Sequence, residues 1–288
     1  MMNKKIKTAR LSIISNCSLI AMKLLAGLYS GSVSVLSEAI HSGMDLLASI
    51  IAYFSVKISD TPPDEEHPYG HGKYENISGV VEAILIFIAA GWIIYEAIHK
   101  IIMPTGIENM GIGAAVMAVS AIINFLVSRR LYQVAKETDS IALEADALHL
   151  KTDVYTSVGV AIGLLLIWLT GWHFLDPLVA ISVAMLILKE SYNLLRNAYS
   201  PLVDTSLSVD ETHIISEEIT KRNLFFHSLR TRKSGNYRCA DLHLEMPENM
   251  ELKEIHSICD EIENEINTRI NNIEINIHVE PSRNIGDK

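Results

Sequence analysis

The sequence predicts a membrane-embedded all-α bundle of six helices, followed by a small α+β domain. Three observations carry that expectation. Six apolar runs of about membrane-spanning length lie before residue 203. The composition turns polar and charged after it. A helix–strand–strand–helix–strand pattern fills the remainder. The expected division is 1–203 for the spanning domain and 204–288 for the second.

The apolar runs are Leu11–Tyr29, Val33–Ile58, Ile77–Ile102, Met110–Val127, Leu148–Leu169 and Leu175–Leu195. Ser30–Gly31–Ser32 is so short that the first two spans must form a hairpin. Pro104 and Gly106 separate the third and fourth, and Gly171, Trp172, His173 and Pro177 separate the fifth and sixth. The other two connectors read as longer polar loops. Gly159-x-x-x-Gly163 in the fifth span suits close approach of another helix. Residues 1–10 are polar and basic, and no Ala-x-Ala-like site follows, so the first run reads as a retained span.

Basic residues assign the sides. Lys4, Lys5, Lys7 and Arg10, then Lys57 and Lys73, then Arg129, Arg130 and Lys136 fall on one side, against Lys100 on the other. The positive-inside rule places both termini in the cytoplasm. The net charge of -10 argues against a nucleic-acid partner. Cys17, Cys239 and Cys259 are isolated, so neither a disulfide framework nor a thiolate zinc site is expected.

Two spans carry the same pattern, His-x-x-x-Asp: His41/Asp45 and His149/Asp153. Four-residue spacing puts both side chains of a pair on one helix face. Two such helices facing each other offer two imidazoles and two carboxylates, a set suited to a divalent metal. Ionisable groups are costly inside a bilayer and mark ion or proton pathways. The chain therefore reads as a membrane metal transporter. A His–Asp hydrogen bond that only locks the bundle is the bland alternative for either pair alone. Glu82 and Lys23 also lie in or near spans, with no role assigned.

The connector after the second span holds Asp64, His67 and His71 among prolines and glycines. It suits a metal site, and a solvated acidic connector equally well. In the tail, Val209–Arg222 and the repeat Leu252, Ile255, Ile258, Ile262, Ile266 predict helices. Phe225–Lys233 and Tyr237–Met246 predict strands joined at Ser234–Gly235–Asn236, and Glu274–Glu280 predicts a third. Asp241, His243 and Glu245 share one strand face, and His278 and Glu280 another; His227 and His256 lie in the first strand and second helix. A solvated polar face accounts for the same alternation, and periodicity alone favours it.

The stretches HSGMD, DEEHPYGHGKYE, HLKTD, HSLRTRKSG, DLHLEM and IHVEP, in this order, resemble the cation diffusion facilitator family, in its YiiP/FieF-like branch. The resemblance covers almost the whole chain. It implies six spans, cytoplasmic termini, a metallochaperone-like cytoplasmic tail, and a homodimer in the bacterial inner membrane exchanging a divalent metal for protons. It implies a transport site at His41, Asp45, His149 and Asp153, and a loop site at Asp64, His67 and His71. It also implies a binuclear tail site at His227, His243, His256, His278 and Glu280. Leu148 aligns with an apolar gate, and Lys73 and Asp204 with a salt bridge that ties the dimer near the membrane. The branch often has Asp where this chain has His41, and ends its tail site in Asp where this chain has Glu280. In the wider family, His at the first position goes with zinc selectivity.

Zn2+ is thus the expected cargo and the proton its counter-ion, with Mn2+, Fe2+, Co2+ and Cd2+ as alternatives. A membrane metalloenzyme is the rival class, but no His-Glu-x-x-His occurs and no catalytic Glu sits beside either pair. No phosphate-binding GxxxxGK[ST] supports an ATP-driven pump.

Overall fold

The computed structural model describes residues 4–30, 33–102, 111–172 and 174–282. The chain divides into two compact units, 1–199 and 200–288, each considered by itself.

The first unit is a bundle of six long helices: α1 (Lys4–Ser30), α2 (Val33–Ser59), α3 (Lys73–Ile102), α4 (Gly111–Thr138), α5 (Ile141–Thr170) and α6 (Leu175–Tyr199). The helices outrun the apolar segments that announce them. α3 starts at Lys73, and α5 at Ile141 rather than Leu148. Hydropathy marks where a helix meets lipid, not where its hydrogen bonding ends. The stretch expected as a polar fourth loop is mostly helix. Arg130, Gln133 and Glu137 bond to one another along α4 at 3.1 Å. The chain then turns at Asp139, whose φ of 52° ends the helix, and α5 begins two residues later.

The bundle is apolar outside and polar within. Leu25, Leu28, Ile88, Trp92, Ile122, Leu126 and Met185 point outward, while Ser12, Asn16, Ser49, Glu82 and Asp146 are buried. That inversion suits a bilayer, where lipid solvates the outer side chains and polar groups pair inside. Ala48, Ala52, Ala83, Ala90, Ala142 and Ala145 are buried and let the helices approach closely. Among the described residues, four helices are apolar enough to cross a membrane by length and composition: α1, α3, α4 and α6. α5 carries Glu144, Asp146, Lys151 and Asp153; it packs against all five other helices, which buries Asp146 fully and Asp153 in part, while Lys151 stays exposed.

The second unit follows a 3-10 turn at Ser200–Val203. It contains α7 (Val209–Thr220), β1 (Phe225–Ser234), β2 (Tyr237–Met246), α8 (Leu252–Arg269) and β3 (Ile273–Pro281). The sheet order is β1-β2-β3. β1 and β2 are antiparallel across a two-residue turn, with Gly235 at φ 60° as a type II′ turn requires. β3 returns parallel to β2 because α8 provides the crossover. Ile215, Ile219, Leu242, Leu244, Ile262, Ile266 and Ile275 form one core, so both helices lie on the sheet's apolar face.

Candidate metal centres

Inside the bundle, α2 and α5 bring two of the four expected residues into contact. His149 Nε2 lies 3.0 Å from Asp45 Oδ1, and both side chains are largely buried. Asp153, one turn beyond His149, accepts a hydrogen bond from Asn124 Nδ2 of α4 at 3.1 Å. The side chain of His41 lies outside the described residues; its backbone sits in α2, one turn before Asp45. Leu148 packs against the cluster built on Ala83, Ile86 and Ala145. Lys23 is buried and donates to Ser42 Oγ at 2.7 Å.

A second polar layer lies one turn along. Ser49, four residues after Asp45, donates to Asp146 Oδ1 at 2.9 Å. Ser12 contacts Ser49 at 2.9 Å, and Asn16 donates to it at 2.8 Å and to the Asp45 carbonyl at 3.3 Å. This layer holds α1, α2 and α5 in register under the His149–Asp45 contact. The sequence reading passed over Asn16, Asn124 and Asp146. For Asn16 and Asn124 the only signal was polarity within an apolar run, Asn124 lying between Ser120 and Ser128 at four-residue spacing; Asp146 precedes the fifth run and carried none.

The α2–α3 loop gathers its own cluster. Asp64 Oδ1 accepts from the backbone N–H of His67 at 2.7 Å and of Glu66 at 3.1 Å, folding the loop over its carboxylate. Its oxygens also approach His67 Nδ1 and His71 Nε2, each at 3.3 Å. Ligand atoms of these three residues all lie within 4.8 Å of one another. The His67 backbone hydrogen bond is the chief cause that holds the Asp64 carboxyl below its usual range, against a weaker upward push from partial burial. Gly70, at φ 78°, makes the turn that returns His71 to the carboxylate.

In the tail, strand register creates a row of histidines. His227 pairs with His243 across β1/β2, and His243 with His278 across β2/β3. A bulge between His227 and Arg230, with Ser228 at φ 54°, shifts the register just beyond His227. Glu280 joins the row, with Oε1 2.8 Å from His243 Nδ1 and Oε2 3.2 Å from His227 Nε2. Desolvation pushes Glu280 up, and the hydrogen bonds and charge of His243 and His227 outweigh it, holding the carboxyl below its usual range. His278 Nε2 is 3.7 Å from Glu280 Oε1. His227, His243 and Glu280 bring ligand atoms within 4.8 Å of one another. His256 is not brought to this row within the chain. It projects from α8 beside Asp260, at 3.6 Å, because α8 covers the opposite face of the sheet. Lys73 opens α3, and Asp204 follows the 3-10 turn at φ 55°; they belong to different units.

Residues 9–203 match the cation efflux transmembrane domain, and 223–282 match the cation efflux protein cytoplasmic domain. The chain belongs to the cation diffusion facilitator family. It is 36% identical to an uncharacterized transporter of Synechocystis, over 95% of this chain and 89% of that one. It is 32% identical to the cation-efflux pump FieF of Shewanella oneidensis, over 95% and 93%. A solved zinc form of the putative zinc transporter CzrB is 31% identical, covering 27% of this chain and 93% of that one, with a TM-score of 0.25. This diffusion facilitator is accordingly a membrane cation-efflux transporter and not an enzyme. Its six-helix transmembrane bundle precedes a small cytoplasmic α+β domain.

Proposed function

We propose that this transporter exports Zn2+ from the cytoplasm in exchange for protons, by alternating access at His41, Asp45, His149 and Asp153. The observation that carries the reading is the 3.0 Å contact between His149 and Asp45, on different helices and away from lipid. Neutral imidazole and carboxylate suit Zn2+ without thiolates. Two carboxylates offset the dication and lower the cost of holding it at membrane depth. Metal needs deprotonated ligands, and free histidine titrates near 6.5, so protons compete with metal around neutral pH. Metal arriving from the cytoplasm displaces protons; protons arriving from outside displace metal. Packing around Leu148 closes one side while the other opens.

The other two clusters fit supporting roles. Asp64, His67 and His71 hold a metal near the membrane surface. His227, His243, His278 and Glu280, with His256, form the tail site of a homodimer in the inner membrane, both termini cytoplasmic. The sheet's polar face supports this reading, since the helices leave it uncovered. The transport domain takes 1–203 and the tail 204–288, and Lys73 and Asp204 supply a salt bridge that ties the dimer near the membrane. The test is Zn2+ uptake by proteoliposomes under an imposed pH gradient. Uptake should follow the gradient and stop when a protonophore collapses it; gradient-independent equilibration would reject exchange.

A further inference from the structure

Among the described residues, six buried polar atoms on the bundle helices have no hydrogen-bond partner: Ser15 Oγ, Glu82 Oε2, Ser120 Oγ, Asn124 Oδ1, Asp146 Oδ2 and His149 Nδ1. Three of them belong to ionisable groups, Glu82 on α3 and Asp146 and His149 on α5. Glu82 and Asp146 are fully buried. Ala83 and Ile86 of α3 pack in one cluster with Ala145 and Leu148 of α5, the turns that also carry Glu82, Asp146 and His149, and the three groups act on one another electrostatically. Buried polar atoms are nearly always paired, so each of these calls for a partner in some state of the transport cycle.

His149 is committed on one side only. Its Nε2 faces Asp45, so a metal at that pair takes Nε2 and leaves the hydrogen on Nδ1. A metal-bound imidazole ordinarily gives its other N–H to a carboxylate, which fixes the tautomer and the ring plane. Apart from the proposed metal ligands Asp45 and Asp153, two carboxylates, Glu82 and Asp146, lie within electrostatic reach. Asp146 is already held through Oδ1 by Ser49 and shares a helix with His149, so helix movement does not change its place relative to the ring. Glu82 differs on both counts. It bonds to Ser78 of its own helix at 3.3 Å, and it sits on α3, which packs against α5. A weakly held side chain on a neighbouring helix can swing as the bundle changes state.

We propose that Glu82 is a positioning residue for His149, its carboxylate accepting the Nδ1 hydrogen when Nε2 binds metal. The inference rests on the transport-site reading above. It deepens that reading by making the metal affinity of α5 depend on α3.

Initial rates of Zn2+ entry into proteoliposomes, read with a Zn2+-sensitive dye over a concentration series, separate KM from maximal rate. Glu82→Gln keeps the side-chain shape and removes its charge. It should raise KM for Zn2+ by about 10–100-fold, the usual cost of losing such an outer carboxylate, and Glu82→Asp should recover part of the loss. A merely structural brace would lower thermal stability and leave KM in place. A Glu82→Gln KM within about threefold of wild type overturns the inference, as does a rise seen with Asp146→Asn instead. If Glu82→Gln does not fold, Glu82→Asp decides alone, and a wild-type KM there overturns the inference. A wild type that moves no Zn2+ overturns the transport-site reading itself, and this inference with it.

Discussion

Asp45 sits within hydrogen-bond distance of His149, while Asp153 is turned to Asn124. The two carboxylates thus stand in different relations to the same imidazole. The Asn124 amide engages Oδ2 of Asp153 and so helps to fix the rotamer of that carboxylate on α5. Removing either carboxylate leaves a dication uncompensated in a low-dielectric interior. Asp153→Ala and Asp45→Ala should each abolish Zn2+ uptake driven by a pH gradient, and undiminished uptake by Asp153→Ala would reject the site assignment. Helical periodicity made the His-x-x-x-Asp pairs legible, because four-residue spacing dictates a shared face. Asn124 was not legible. Its role depends on α4 lying beside α5, and nothing local to its sequence encodes that neighbour.

At the scale of elements, close approach of α5 and α6 rests on Gly159. A methyl group added there would stand 2.8 Å from Val183 Cγ2, nearer than side-chain carbons pack. Gly159→Val should force the two helices apart and destabilise the bundle by about 1–3 kcal/mol, measured as a fall in Tm in detergent. An unchanged Tm would show that the contact relaxes freely. In the tail, α7 opens with a reciprocal cap: Ser208 Oγ accepts from the Glu211 N–H at 3.3 Å, and Glu211 Oε2 accepts from the Ser208 N–H at 3.0 Å. Glu211 also receives Arg238 Nε at 2.5 Å, tying the helix start to β2. Ser208→Ala should therefore cost about 1 kcal/mol of tail stability, read from the urea midpoint, and no shift would discount the cap.

At the scale of the whole molecule, the tail's stability should depend on acid. Arg269 and then Lys221 hydrogen-bond the buried Glu218 and lower its carboxyl from 4.5 to about 2. A folded value below the unfolded one means that the ionised form favours the fold. Its contribution is complete above about pH 4.5 and fades as pH falls toward about 2. The urea midpoint, followed by circular dichroism, should drop between about pH 4.5 and about pH 2, and Glu218→Gln should flatten that drop. A drop of equal size in the variant would place the acid sensitivity elsewhere. Metal should also change how protomers sit together. Spin labels on the two tails of a dimer should report a distance that shifts on adding Zn2+, and an unchanging distance would count against a bridging tail site.

The sequence by itself determined the six helices, the alternating strands and the two paired motifs, because helix and strand periodicity are local properties of the chain. It also determined that polar groups would lie among apolar runs. Tertiary structure decided which of those groups meet. Asp45 touches His149 while Asp153 turns to Asn124; Glu280 completes the histidine row while His256 stands off on α8; and Glu82 and His149 each keep an atom with no hydrogen-bond partner among the described residues. Contacts between distant residues follow from how helices and strands pack, and no local pattern specifies the neighbour.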